Sequence, residues 1–169
     1  MTEVRDAVPS DAPQVAGIHV RSWQWAYRGL IDQDYLDGLT PQAWVRRYDF
    51  DRMGLRVPST LVAVRHTTIH GFASVGLCRD DDLADHGELM AIYVEPGSLS
   101  SGVGHLLIGA ARERLAARGF AGAALWVLRG NTRARQFYER DGWLPDGARR
   151  TRVYGGTPVE EARYRRTLA

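Results

Sequence analysis

Residues 88–107, ELMAIYVEPGSLSSGVGHLL, constrain the fold of this chain more than any other stretch. Leu89 to Val94 is an apolar run too short for a free-standing helix and rich in residues that suit a buried strand. Pro96 cannot donate to a ladder and Gly97 permits unusual backbone angles, so the strand stops there. Ser98 to Ser101 form a polar turn, and Gly102-Val103-Gly104 opens a run with Val103, Leu106, Leu107, Ala110, Ala111 and Leu115 at helical spacing. A strand, a glycine-bearing turn and a helix N-terminus together make an anion site. Unsatisfied N–H groups converge there and the helix dipole adds partial positive charge.

Of two nucleotide-binding fingerprints on this turn, the dinucleotide one is weak and the P-loop one fails. The dinucleotide pattern G-x-G-x-x-G has Leu107 at its third glycine, and a P-loop would need Lys and Ser/Thr where Val103 and Gly104 stand. Leu99-Ser100-Ser101-Gly102-Val103-Gly104 instead resembles motif A of the GCN5-related N-acetyltransferases, a strand ending in V-x-P followed by R/Q-x-x-G-x-G/A. Leu99 departs from it, because the family has Arg or Gln there. Leu125 to Trp143, LWVLRGNTRARQFYERDGW, resembles motif B of the same family: an apolar strand, an Asn cap and a helix containing F-Y-E-x-x-G-[FW]. The likeness is strongest over about residues 60–145.

The resemblance implies an α/β (α+β) fold of one domain over residues 1–169. Its centre would be a mixed, largely antiparallel sheet of about six to seven strands, flanked by about four helices and splayed into a V between the two central strands. It implies an enzyme that uses acetyl-CoA as cosubstrate and acetylates an amine of a small molecule or peptide. A non-catalytic acyl-CoA-binding sensor is the alternative. Implied cofactor contacts are Ile92, Tyr93 and Val94 on the strand, Leu99, Ser100, Ser101, Gly102, Val103, Gly104 and His105 at the turn, and Asn131 and Tyr138 on the following helix. Tyr138 aligns with the acid that protonates the leaving thiolate, whereas Phe137, near the face of Ala134, reads as a residue packed against the sheet. Glu88 is the best-placed carboxylate for a base, with a water chain as the other route.

The first half of the chain carries the acceptor candidates. Thr2 to Val8 reads as a strand, and Ser10 as the N-cap of a helix carrying Val15, Ile18, His19, Ser22 and Trp23. Trp23, Trp25, Tyr27 and Tyr35 are either core or the aromatic wall of an acceptor pocket. His19 reads as a helix residue rather than a catalyst. Gly29 to Leu39 is a loop or broken helix, and Thr40-Pro41 starts a helix expected to run to Met53 and end at Gly54. Residues 60–65 and 69–78 read as a hairpin, followed by an acidic loop with Asp80, Asp81, Asp82 and Asp85. That loop is either solvated or attracts a cationic amine. Asn131 caps a helix running to about Asp141, and residues 148–154 and 160–167 close the sheet as an antiparallel pair.

Composition narrows the partners. All 22 basic residues are Arg, so no Schiff-base or P-loop lysine exists, and a net charge of +2 gives no pull toward nucleic acid or membrane. The lone Cys78 excludes an intramolecular disulfide and a multi-cysteine metal site, and no metal is expected. The absence of a leader or long apolar span leads to an expectation of a cytoplasmic protein. Whether it is a homodimer is not legible.

Overall fold

A computed structural model describes residues 1–48, 50 and 58–168. Seven strands form one sheet: β1 (Glu3–Asp6), β2 (Ser59–Arg65), β3 (Thr68–Leu77), β4 (Gly87–Val94), β5 (Gly122–Leu128), β6 (Leu144–Tyr154) and β7 (Thr157–Thr167). Their order is β1-β2-β3-β4-β5-β7-β6, and every neighbouring pair is antiparallel except β4 with β5. The helices are α1 (Ala12–Ala26), α2 (Gln33–Asp37), α3 (Pro41–Val45), α4 (Val103–Ala117) and α5 (Thr132–Arg140).

Side chains alternate across the strands, so each face of the sheet acquires its own helices. Ala73, Val75, Leu89, Ala123, Leu125, Val127 and Tyr164 meet Val103, Leu107, Ile108, Ala111 and Leu115 of α4 and Tyr138 of α5. Val62, Val64, Ile69 and Phe72 meet Val15 and Ile18 of α1 on the other face. At Gly71 a Cβ would lie 2.9 Å from Leu107 and 3.0 Å from Val103, so the missing side chain lets α4 press onto β3. Leu106, expected on the apolar face of α4, is exposed, and Ile108 is buried instead.

Several ends differ from expectation for local reasons. Ser10 lies in a single 3-10 turn (Pro9–Asp11), and α1 starts after it. Asp11 makes no side-chain cap to α1 and instead closes the turn before it, accepting the Val8 N–H at 2.9 Å and the Arg5 guanidinium at 2.7 Å. The stretch from Gly29 to Leu39 contains α2, capped by Asp32, which accepts the Tyr35 N–H at 3.1 Å. α3 stops at Val45, short of the expected length, and Thr40 makes no side-chain cap; Met53 and Gly54 lie outside the described residues. Gly119, in the left-handed region, closes α4: its N–H reaches Ala116 and that of Phe120 reaches Leu115. The closing pair is longer than expected because Gly155 and Gly156, both at positive φ, make a two-residue turn directly after Tyr154 and let Tyr154 pair with Thr157.

Candidate active site

β4 and β5 pair only at Gly87 with Ala123 and Glu88 with Ala124, then diverge. The gap belongs to a cavity of about 890 Å³ that passes through the plane of the sheet. One half opens toward the N-termini of α4 and α5, the other toward α1, β6 and β7.

The first half is built from main chain. Pro96–Ser98 make a 3-10 turn, Ser100 and Gly102 both have positive φ, and Gly102 precedes α4 without a side-chain cap. The N–H groups of residues 101–105 therefore have no acceptor among the described residues, which is how a helix start becomes an anion site. A Cβ at Gly102 would meet nothing within 4 Å, whereas one at Gly104 would lie 3.1 Å from Phe137. Gly102 therefore borders open space, and Gly104 is small so that α5 can pack against α4. Leu99 lines the cavity without offering charge, and the cation comes from α5, where Arg133 donates to Ser100 Oγ at 3.2 Å. Along β4, the Glu95 N–H donates to His70 O at 2.8 Å. The alternation of an antiparallel ladder then turns Tyr93 toward β3 and leaves the backbone of Ile92 and Val94 facing the gap. Ser22 Oγ donates to one of these groups, Val94 O, at 3.2 Å.

Tyr138 and Asn131 stand at the waist. Asn131 caps α5 by accepting the Ala134 N–H at 3.2 Å. Tyr138 lines the cavity at 9% exposure and packs with Leu125, Val127 and Trp143. Burial, with Tyr93 adding to it, pushes its phenol well above the ordinary value, so the hydroxyl stays protonated at neutral pH. The anion turn, the exposed strand edge and the capped Asn fit the phosphates and amide arm of coenzyme A.

Side chains build the second half. Glu88 is 2% exposed and both its oxygens accept from Arg79: Oε1 from the backbone N–H at 3.0 Å and Nε at 3.2 Å, Oε2 from Nη2 at 2.5 Å. That hydrogen bonding raises the Arg79 pKa further. Arg150, Arg152 and Tyr154 alternate along β6 and line the same chamber as Trp126 and Glu161. Glu161 Oε1 accepts Arg150 Nε at 2.6 Å and lies 3.6 Å from Arg152 Nε, while the Arg150 guanidinium sits 4.3 Å over the Trp126 ring. Trp23 closes the chamber, edge-on to Tyr154 at 5.2 Å and to Tyr27 at 4.9 Å. The imidazole of His19 is stacked between Trp23 and Trp44, with Nδ1 against the Tyr48 hydroxyl. Burial first, then the Arg47 charge, lower its pKa to about 4, so it is neutral at pH 7. His19 Nε2 and Trp23 Nε1 have no partner among the described residues.

All the expected site residues except Ser101 and Val103 line this cavity. Trp23, Tyr27 and Tyr35 gather in the second half, but Trp25 does not join them. It is half exposed, and Arg133 lies 5.8 Å over its ring, which places it beside the anion turn. On a helix, positions 23 and 27 share a face and 25 points away from it. The acidic loop is spent on structure: Arg163 holds Asp80 at 3.1 Å, Asp82 at 2.7 Å and Asp146 at 2.7 Å, and Trp126 Nε1 donates to Asp80 at 3.0 Å. Sequence reasoning missed Arg79, Trp126, Arg133, Arg150, Arg152, Tyr154 and Glu161. The alternation of Arg150, Arg152 and Tyr154 was the one signal available, and it marks a shared face without saying what that face meets.

Comparison with known proteins places these features in a group. The model of the Acetyltransferase (GNAT) family matches residues 19–143. The chain is 30% identical over 132 residues to the uncharacterized N-acetyltransferase YuaI of Bacillus subtilis, covering 78% of this chain and 74% of that one. It is 29% identical over 166 residues to the probable N-acetyltransferase Rv2775 of Mycobacterium tuberculosis, covering 96% and 91%. Its fold is similar to that of the Salmonella typhimurium acetyltransferase yncA, solved with its cofactor acetyl-CoA. The TM-score is 0.76 and the identity 16%, over 100% of this chain and 95% of that one.

Proposed function

The chain belongs to the GNAT acetyltransferase family, and from that premise we propose that it moves an acetyl group from acetyl-CoA directly to a primary amine held in the same cavity, the amine belonging to a small molecule or peptide. The observation that carries this reading is the continuity of the cavity. An anion turn at one end and a closed chamber at the other communicate through the gap between β4 and β5, with Tyr138 at the waist.

Acetyl-CoA, when bound, supplies an acetyl thioester susceptible to attack by a neutral amine. The N–H groups of residues 101–105 and the Arg133 guanidinium hold the pyrophosphate. The exposed edge of β4 at Ile92 and Val94 would offer backbone groups to the amide arm, with Ser22 already bonded to Val94 O. A β4 N–H donates to the developing oxyanion. The Tyr138 hydroxyl would give its proton to the departing sulfur and recover one from the attacking nitrogen, through solvent, as the amide forms. Burial raises the phenol pKa, which keeps the hydroxyl protonated and available to donate, and the same burial penalises a bare thiolate beside it. Glu88 is not a free base, because Arg79 occupies both oxygens. It fixes the apex of the gap, and the proton of the acceptor ammonium leaves through solvent.

The test is thiol release from acetyl-CoA across a panel of amines, beside calorimetric binding of acetyl-CoA. Tyr138→Phe is expected to lower kcat by on the order of 10²-fold or more with little change in KM for acetyl-CoA. Glu88→Gln is expected to keep the shape of the pH–rate profile, and loss of the profile's basic requirement would restore Glu88 as the base. Tight binding of acetyl-CoA with no turnover of any amine would replace the enzyme by an acyl-CoA sensor. Parental turnover in Tyr138→Phe would make Tyr138 a packing residue.

A further inference from the structure

We infer that the acceptor is an amine that also carries a carboxylate, an amino acid in the broad sense, with its carboxylate held by Arg152 and Arg150. The inference rests on the acetyltransferase reading above and names the substrate class of that same cavity.

Charge in the second half of the cavity is the starting point. Arg79, Arg150 and Arg152 line it against two carboxylates, Glu88 and Glu161, which leaves an excess of positive charge on this wall. Both carboxylates are engaged: Glu88 accepts from Arg79 through both oxygens, and Glu161 Oε1 serves Arg150 and Arg152 together. Asp80, Asp82 and Asp146 are spent on Arg163 and do not line the chamber. An ammonium group beyond the one being acetylated would meet guanidinium groups, and the carboxylates of the described residues there already face Arg79, Arg150 and Arg152. A cleft of this sign concentrates anionic ligands and repels polycations.

Geometry adds direction. Arg150 and Arg152 project from one face of β6 and both approach Glu161 through Nε, so among the described residues the terminal nitrogens of Arg150 remain for a ligand, with those of Arg152 beside the Tyr154 hydroxyl. Arg150 is fixed flat on Trp126 and by Glu161, so little side-chain freedom is lost when it binds a planar carboxylate. Arg152 is 48% exposed and stands beside Tyr154, at the mouth by which a small molecule arrives. Paired guanidinium groups suit the two oxygens of a carboxylate. The floor between them and Tyr138 is Trp126, Tyr154 and Leu128, an apolar bed for the body of the acceptor.

The experiment compares matched ligands that differ only at the carboxyl group. Common L-amino acids, β-alanine and γ-aminobutyrate are set against their primary carboxamides, with putrescine and spermidine as polycationic controls. Thiol release is measured at saturating acetyl-CoA, and binding of the same ligands is titrated against the CoA-saturated protein and the free protein. At least one carboxylate is expected to exceed its carboxamide by tenfold or more in kcat/KM and in affinity. Arg152→Gln, at a half-exposed site that tolerates the change, is expected to erase most of that ratio by raising KM while acetyl-CoA affinity stays unchanged. Equal or better handling of the carboxamides or polyamines overturns the inference, and so does the absence of binding by every carboxylate probe. Failure to bind acetyl-CoA would sink the reading of the reaction alone, since titration of the free protein still decides whether the arginines prefer a carboxylate.

Discussion

At the α4 end of the cavity the donors are main-chain N–H groups of residues 101–105, whereas at the β6 end they are the guanidinium groups of Arg150 and Arg152. The first set follows from a strand, a turn and a helix that are consecutive in the chain. The second is assembled from β4, β5, β6 and β7, whose order in the sheet is not their order in sequence. Backbone recognition therefore tolerates side-chain change so long as the turn keeps its shape, and side-chain recognition can be rewritten one residue at a time. Substitutions in the two halves should fail in different ways.

The largest effect expected outside catalysis belongs to the α1 side of the acceptor half. His19 is buried neutral, with a pKa of about 4 against an ordinary value of about 6.5. Between those values the unfolded chain holds a proton that the folded chain refuses, so stability falls as pH drops from about 6.5 toward 4. The full gap corresponds to roughly 3 kcal/mol. Thermal melts across that window should show a slope that His19→Gln flattens. An unchanged slope would mean that the imidazole is free to protonate in place.

A change of shape in the cofactor half should cost somewhat less. The Cβ of Gly104→Val would meet Phe137 at 3.1 Å, so the variant is expected to lose about 1–3 kcal/mol of stability as α4 and α5 are pushed apart. Gly102→Ala, whose Cβ meets open space, should lose less through packing but strain a residue at φ 90°. Chemical denaturation ranks them, and equal losses would remove Phe137 from the account. The smallest effect sharpens the contrast from within. Among the described residues Arg133 is the arginine bonded to the anion turn, and Arg133→Ala should weaken acetyl-CoA binding about tenfold at low salt and by less at high salt. A loss as large as that from deforming the turn would mean that side chains matter equally at both ends.

The same division explains what could be read in advance. The hairpin of β2 and β3, the cap at Asn131 and the left-handed stop at Gly119 are local devices written in a few adjacent residues. The strand–turn–helix from Glu88 onward belongs with them. Glu88 itself was legible as a strand-end carboxylate, but its partner Arg79 lies across a loop, so its pairing was not. The acidic loop invited a substrate role because Arg163, which neutralises it, sits more than eighty residues away. Trp25 was grouped with Trp23 and Tyr27 by composition, although helical phase separates them.

The shallow pairing of β4 with β5 gives this sheet four rims instead of two. β1 and β6 form the outer pair, and the inner pair face each other across the gap after Glu88 and Ala124. An outer rim invites a stray strand and must be guarded, but an inner rim is reached only by something as slender as a single extended chain. Sheet folds usually treat unpaired rims as a hazard. Here the hazard has been turned inward and sized for one guest, so the opening is a property of the strand order and of where pairing stops rather than of any one side chain.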